Sequence, residues 1–147
     1  MNDTVASGSW LTWALLAAVF AALTAIFAKI GLEGIDSDFA TLIRTVVIVM
    51  VLAGFVASTG RWQNPFRLEG RTLGFLVLSA MATGASWVCY FRALKLGDAS
   101  RVAPIDKLSV VLVAVLGTFV LGERLAPRDW LGITLIGGGA VLLGLKR

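Results

Sequence analysis

The feature that most constrains this chain is the length of its apolar runs. They cover residues 10–30, 39–58, 72–94, 101–121 and 128–145, with short polar breaks between them. At 1.5 Å per residue, a helix of about 20 residues spans the roughly 30 Å hydrocarbon core of a bilayer. Soluble domains are about a quarter charged. Here charged residues make up 15% of the chain and hydrophobic residues 58%. In lipid every backbone N–H and C=O must be satisfied internally, which leaves helices or closed barrels. Barrel strands would read as alternating segments of about ten residues, and these runs are continuous and twice as long. The sequence therefore predicts an all-α polytopic membrane bundle of about five transmembrane helices in one domain, 1–147.

The punctuation agrees. Trp10 and Trp13 open the first run as interfacial anchors do. Arg61, Trp62, Asn64, Pro65 and Arg67 fill the longest break, and Pro127 suits the start of the last helix. Before Trp10 the only charge is Asp3, so a cleavable leader is not expected.

Several chemistries are absent from the residue list. There is no histidine, and Cys89 is the single cysteine, expected as a small buried hydrophobe. No Cys, His or carboxylate cluster has metal-ligand spacing, no phosphate loop is present, and no nucleophile–base pair stands out. No cofactor or metal, no enzyme activity and no nucleic-acid partner are expected. The net charge of +4 is spread over the ends of the runs.

Five spans place the chain ends on opposite sides. Arg61, Arg67, Arg71, Arg124 and Arg128 fall on the side of the N-terminus; Arg92, Lys95, Arg101, Lys146 and Arg147 fall on the other. Five against five gives the positive-inside rule almost nothing to act on. Counting the deeper Lys29, Arg44 and Lys107 tilts the tally to eight against five. So weak a bias suits a protein that inserts both ways, and also a single topology set by a weak signal.

Ionisable groups inside a span cost roughly 2.5 to 3.5 kcal/mol each on insertion scales, which makes them candidate site residues. Lys29 shares a helix face with Ala18, Ala22 and Ala25 and either points into the bundle or snorkels. Arg44 lies about 8 Å past Phe39 along the axis, and its fork suits a carboxylate or a phosphate, with Asp36, Asp38 or Asp106 as candidate partners. In Val102–Ser109, Asp106 and Lys107 are expected in the first turns of the fourth helix, about 100° apart, with Asp106 and Ser109 on one face. Pro104 is expected to break the local helix and free a carbonyl, as at solute sites in transporters. Asp106 is thus a candidate gating or proton-coupling carboxylate, or the acid of a local salt bridge. Thr83, Trp87, Tyr90 and Leu94 form one stripe of the third helix, with Trp87 and Tyr90 as candidate cavity walls or core. Gly137, Gly138, Ala140 and Gly144 offer a close-packing surface, read as a dimer seam.

Three stretches carry a resemblance. Ala93 to Pro104 resembles the turn between the third and fourth helices of the EamA domain, in the drug/metabolite transporter superfamily. Leu121-Gly-Glu-Arg-Leu125 resembles its LGE helix end, and Trp130, Gly132 and the later glycines its last helix. Lys29 and Arg44 match basic positions common in its first two helices. Two departures stand out: one five-helix repeat replaces the usual two, and Pro104-Ile-Asp-Lys-Leu-Ser109 replaces a Glu-Pro-rich segment. The resemblance implies half of an inverted-repeat ten-helix transporter, completed by a second copy. The expectation is a secondary transporter, proton-coupled or an exchanger, of a small polar or amphipathic metabolite. It would work as an antiparallel homodimer in the inner (cytoplasmic) membrane of a bacterium. The alternative is a non-transporting subunit or assembly partner of another membrane complex.

Overall fold

A computed structural model describes residues 3–145; Lys146 and Arg147, expected to close the last helix, lie outside them. All of the regular structure in the described residues is helical. The helices are α1 (Asp3–Gly31), α2 (Ser37–Ser58), α3 (Gly70–Leu96), α4 (Ala99–Asp106), α5 (Ser109–Val120) and α6 (Pro127–Gly144), with one 3₁₀ turn at Pro65–Arg67. Four segments are long and apolar enough to cross a bilayer: Trp10–Gly31, Ser37–Ser58, Gly70–Leu96 and Ala99–Val120. The fifth run forms α6, 18 residues long. Its first turn carries Arg128 and Asp129, and its middle is Gly137-Gly-Gly139, which lowers its hydropathy below that of the other four.

Local chemistry explains the boundaries. Asp36 caps α2, its Oδ1 accepting from the amides of Asp38 at 2.9 Å and Phe39 at 3.1 Å. This starts the helix at Ser37, two residues before the apolar run. Pro127 opens α6, where a missing N–H costs nothing. Gly122, at φ +71°, turns the chain after α5. That turn brings the Glu123 amide back to the Gly117 carbonyl at 3.1 Å.

The fourth run is not one continuous helix. After Asp106 the backbone bonds shorten to the three-residue kind: Lys107 N to Pro104 O, Leu108 N to Ile105 O, Val110 N to Lys107 O and Val111 N to Leu108 O, all at 3.0 Å. Pro104 sits inside α4 and denies a donor to the preceding turn. The break follows just after it.

The chain divides into two units, one holding most of α1 with α4, α5 and α6, the other α2 and α3. In the first, α6 packs along both α4 and α5. The buried residues are small: Ala114 and Gly117 on α5, Gly137 and Ala140 on α6. In the second, Phe91, Leu94, Ser37 and Thr41 are buried. Large apolar side chains point outward on every long helix, with Trp13 72%, Phe119 83% and Leu142 71% exposed. A soluble fold would reverse that arrangement. Cys89 is also exposed, contrary to the expectation of burial, because it lies on the outward face of α3.

Candidate functional site

Two clusters of the expected residues form, one in each unit. In the α2–α3 unit, the first element is a polar clasp at one end. Arg92 of α3 donates to both oxygens of Asp38, Nε to Oδ1 at 2.9 Å and Nη2 to Oδ2 at 2.5 Å. Lys95 donates to the backbone carbonyl of Ile35. The sequence reading missed both, because Arg92 and Lys95 looked like ordinary flanking cations.

One to two turns further in, the Arg44 guanidinium lies over the Trp87 ring, 4.3 Å from its centroid, and 5.2 Å from that of Phe91. This corrects the expected carboxylate partner. Asp36 is committed to the α2 amides, Asp38 to Arg92, and Asp106 to Lys107 at 3.1 Å. Among the described residues Arg44 makes no ion pair, and the π face of Trp87 takes its charge. Tyr90 packs edge-on against Phe91, with centroids 6.4 Å apart. Leu94, the last residue of the expected stripe, is fully buried.

Beyond Trp87 the two helices leave a groove of about 380 Å³, lined by Thr41, Thr45 and Ile48 of α2 and by Leu76, Ser79, Ala80, Thr83, Gly84 and Trp87 of α3. Thr41, Thr45 and Ser79 were not singled out from the sequence. Their signal was available as hydroxyls at helical spacing, i and i+4 on each helix.

In the other unit, Asp106, Lys107 and Ser109 meet at the break between α4 and α5. Asp106 is the last residue of α4, not part of a first turn. The expected offset of about 100° along the helix does not keep the two charges apart. Lys107 caps the ended helix, and its flexible stem brings Nζ back to Asp106 Oδ2 at 3.1 Å. The Ser109 hydroxyl donates to the Asp106 carbonyl at 2.8 Å. Lys29 is half-buried and reaches a backbone carbonyl. Its Nζ donates to the Gly97 carbonyl at 2.9 Å, in the turn before α4. Of its expected small-residue face, Ala25 is buried, while Ala18 and Ala22 are exposed.

The glycine surface of α6 is largely occupied within the chain. A Cβ on Gly137 would lie 2.9 Å from Val111 Cγ2, and one on Gly144 would lie 3.2 Å from Ile105 Cδ1. Ala140 is buried. Gly138 would meet nothing within 4 Å, so it is the part of the expected dimer seam still open, and its neighbour Gly139, outside that expectation, is open too. Among the described residues no three His, Cys, Asp or Glu side chains gather as a metal site would need.

Residues 8–145 match the EamA-like transporter family. The chain belongs to that family. The match runs through the turn, the LGE helix end and the glycine-rich last helix that carried the resemblance. An uncharacterized transporter in the cobO 3′ region of a Sinorhizobium species is 63% identical over 139 residues, covering 95% of this chain and 99% of the relative. The uncharacterized transporter YxxF of Bacillus subtilis is 27% identical over 95% of this chain, but only 44% of its own length is covered. A probable 4-amino-4-deoxy-L-arabinose-phosphoundecaprenol flippase subunit, ArnE of Proteus mirabilis, is 27% identical over 58% of this chain and 76% of its own. No solved structure matches. As an EamA-like transporter, the chain is a multi-pass membrane protein whose family moves small molecules across lipid.

Proposed function

We propose that this EamA-like chain is one protomer of an antiparallel homodimeric secondary transporter in the inner membrane of a bacterium. The observation that carries the reading is a comparison of lengths. The same stretch of chain accounts for nearly all of the Sinorhizobium relative and under half of YxxF. One repeat therefore serves as a whole polypeptide in one branch of the family and as half of one in another. A lone repeat recovers the two-repeat arrangement by pairing with a second copy. With α6 taken as a fifth span beside the four long apolar ones, the odd number inverts a repeat relative to its neighbour, and five loop cations on each side leave both insertions open.

In this reading the cargo is a small polar or amphipathic metabolite, moved by proton coupling or exchange, without catalysis. Asp106 takes the proton or the cationic group of the cargo, and Lys107 competes for it from 3.1 Å. The break beside Pro104 is the point at which the fourth run bends as access alternates. Flux into liposomes tests the coupling role. Asp106→Asn should abolish its pH dependence, and an unchanged pH profile removes Asp106 from the mechanism. Reporters at both chain ends test the pairing. Signal on both sides of the membrane from each end is expected, and one fixed orientation excludes an antiparallel homodimer.

The name of the ArnE relative includes the word subunit, which favours a second reading, a hetero-partnered membrane subunit. Purification from native membranes separates the two. A stoichiometric foreign partner supports the second reading and a homodimer the first.

A further inference from the structure

We propose that the groove between α2 and α3 binds the head of an uncharged amphipathic solute through that solute's own hydroxyl or N–H donors. The argument starts from where the threonine protons go. Thr41 donates its hydroxyl proton to the Ser37 carbonyl at 2.8 Å, Thr45 to the Thr41 carbonyl at 2.8 Å, and Thr83 to the Ser79 carbonyl at 2.9 Å. A hydroxyl has one proton and two lone pairs. With the proton spent on its own helix, each oxygen has only acceptor capacity left for whatever enters. All three residues line the groove.

Charge then narrows the ligand. Three of the four hydroxyls lining the groove, all but Ser79, thus present acceptor oxygens, which disfavour an anion. The ring that closes the groove, Trp87, carries the Arg44 guanidinium at 4.3 Å, and in a low-dielectric setting that charge repels an ammonium. A neutral donor satisfies both constraints. The remaining walls, Ile48, Leu76 and Ala80 among them, are apolar and accept a hydrocarbon body. A volume of about 380 Å³ lies within the range of small-molecule sites. Arg44 does not line the groove; it acts as a positioning residue that holds the Trp87 ring. Assigning the groove to the transported cargo rests on the transporter reading, whereas binding in it does not.

The test uses the full chain in phosphatidylcholine nanodiscs and three photoreactive probes of equal alkyl length: an octyl glucoside, an octyl sulfate and an octyltrimethylammonium. The glucoside should label α2 and α3 along the groove, and the two charged probes should bind at least about tenfold more weakly. Thr45→Val and Thr83→Val keep the shape and remove an acceptor, so each should weaken glucoside binding about fivefold, as loss of one hydrogen bond does. Arg44→Lys should preserve the glucoside preference, and Arg44→Met should admit the ammonium probe. Equal binding of the three probes, labelling elsewhere, or full affinity in both valine variants overturns the assignment. So does oxidative cross-linking of Thr83→Cys between two copies without any probe, in a Cys89→Ser background, because a partner helix would then fill the groove. Groove labelling without liposome flux leaves the site standing and removes the transporter reading; flux without groove labelling does the reverse.

Discussion

Replacing Gly137 with alanine puts one methyl group between α6 and α5. The new Cβ would sit 2.9 Å from Val111 Cγ2, where carbon atoms prefer about 3.5 to 4.0 Å. The shortfall is therefore about 0.6 to 1.1 Å. Valine is stiff at χ1, so Val111 cannot swing clear, and the helices must separate. Overpacking of this kind costs about 1 to 3 kcal/mol. Alanine recovers about 1 kcal/mol of helix propensity, leaving a net loss of up to about 2 kcal/mol. At about 3 °C per kcal/mol for a chain of this length, the midpoint falls by up to about 6 °C. The assay is heating in detergent followed by gel filtration, scoring the surviving monodisperse peak. Gly138→Ala, with nothing within 4 Å, should keep its midpoint or rise slightly. Val111→Ala should restore part of the loss in the Gly137→Ala protein while lowering the midpoint alone. If Gly137→Ala behaves like Gly138→Ala, or Val111→Ala shows no coupling to it, the intramolecular packing described for α6 is wrong. If Gly138→Ala keeps its midpoint but loses the dimer peak, the outward glycines are the seam.

Removing the cap with Asp36→Ala should cost about 1 kcal/mol in the same assay, whereas Asp36→Asn should retain most of it, since either oxygen can accept the α2 amides. Gly122→Ala forces a side chain into a left-handed conformation at φ +71° and should cost about 1 to 2 kcal/mol. Charge reversal at the clasp, Asp38→Arg or Arg92→Asp, should lower the midpoint singly, and the double swap should recover it. A double variant no better than the worse single one would mean that the pair contributes nothing beyond its two separate charges.

Run length disclosed the spans because lipid leaves the backbone few options, and a 20-residue apolar stretch tolerates little ambiguity. Run length alone did not disclose the division of the fourth run. Pro104 did, as a local break, which falls just after it where Asp106 and Lys107 interrupt the apolar residues. Charge types disclosed that Arg44 is unusual but not what it meets. The carboxylates offered as its partners had closer claims on them: amides at Asp36, Arg92 at Asp38, and Lys107 at Asp106. A one-dimensional reading ranks partners by opposite charge and has no way to subtract those already engaged. The hydroxyl groove was hidden for a different reason. Thr41 and Thr83 are individually ordinary, and only the pairing of α2 with α3 sets them along one space. The EamA-like motifs were legible because turn and cap chemistry is local, as Gly122 shows.

The break after Asp106 and the glycines of α6 belong to one mechanical problem. Because α6 lies along both α4 and α5, it splints the break. If the fourth run bends there as the proposed transport cycle requires, α6 has to slide against its neighbours. A splint bearing leucines would interlock with them. Gly137 and Gly144 present no side chain to Val111 and Ile105, which leaves the smallest obstacle to such a slide.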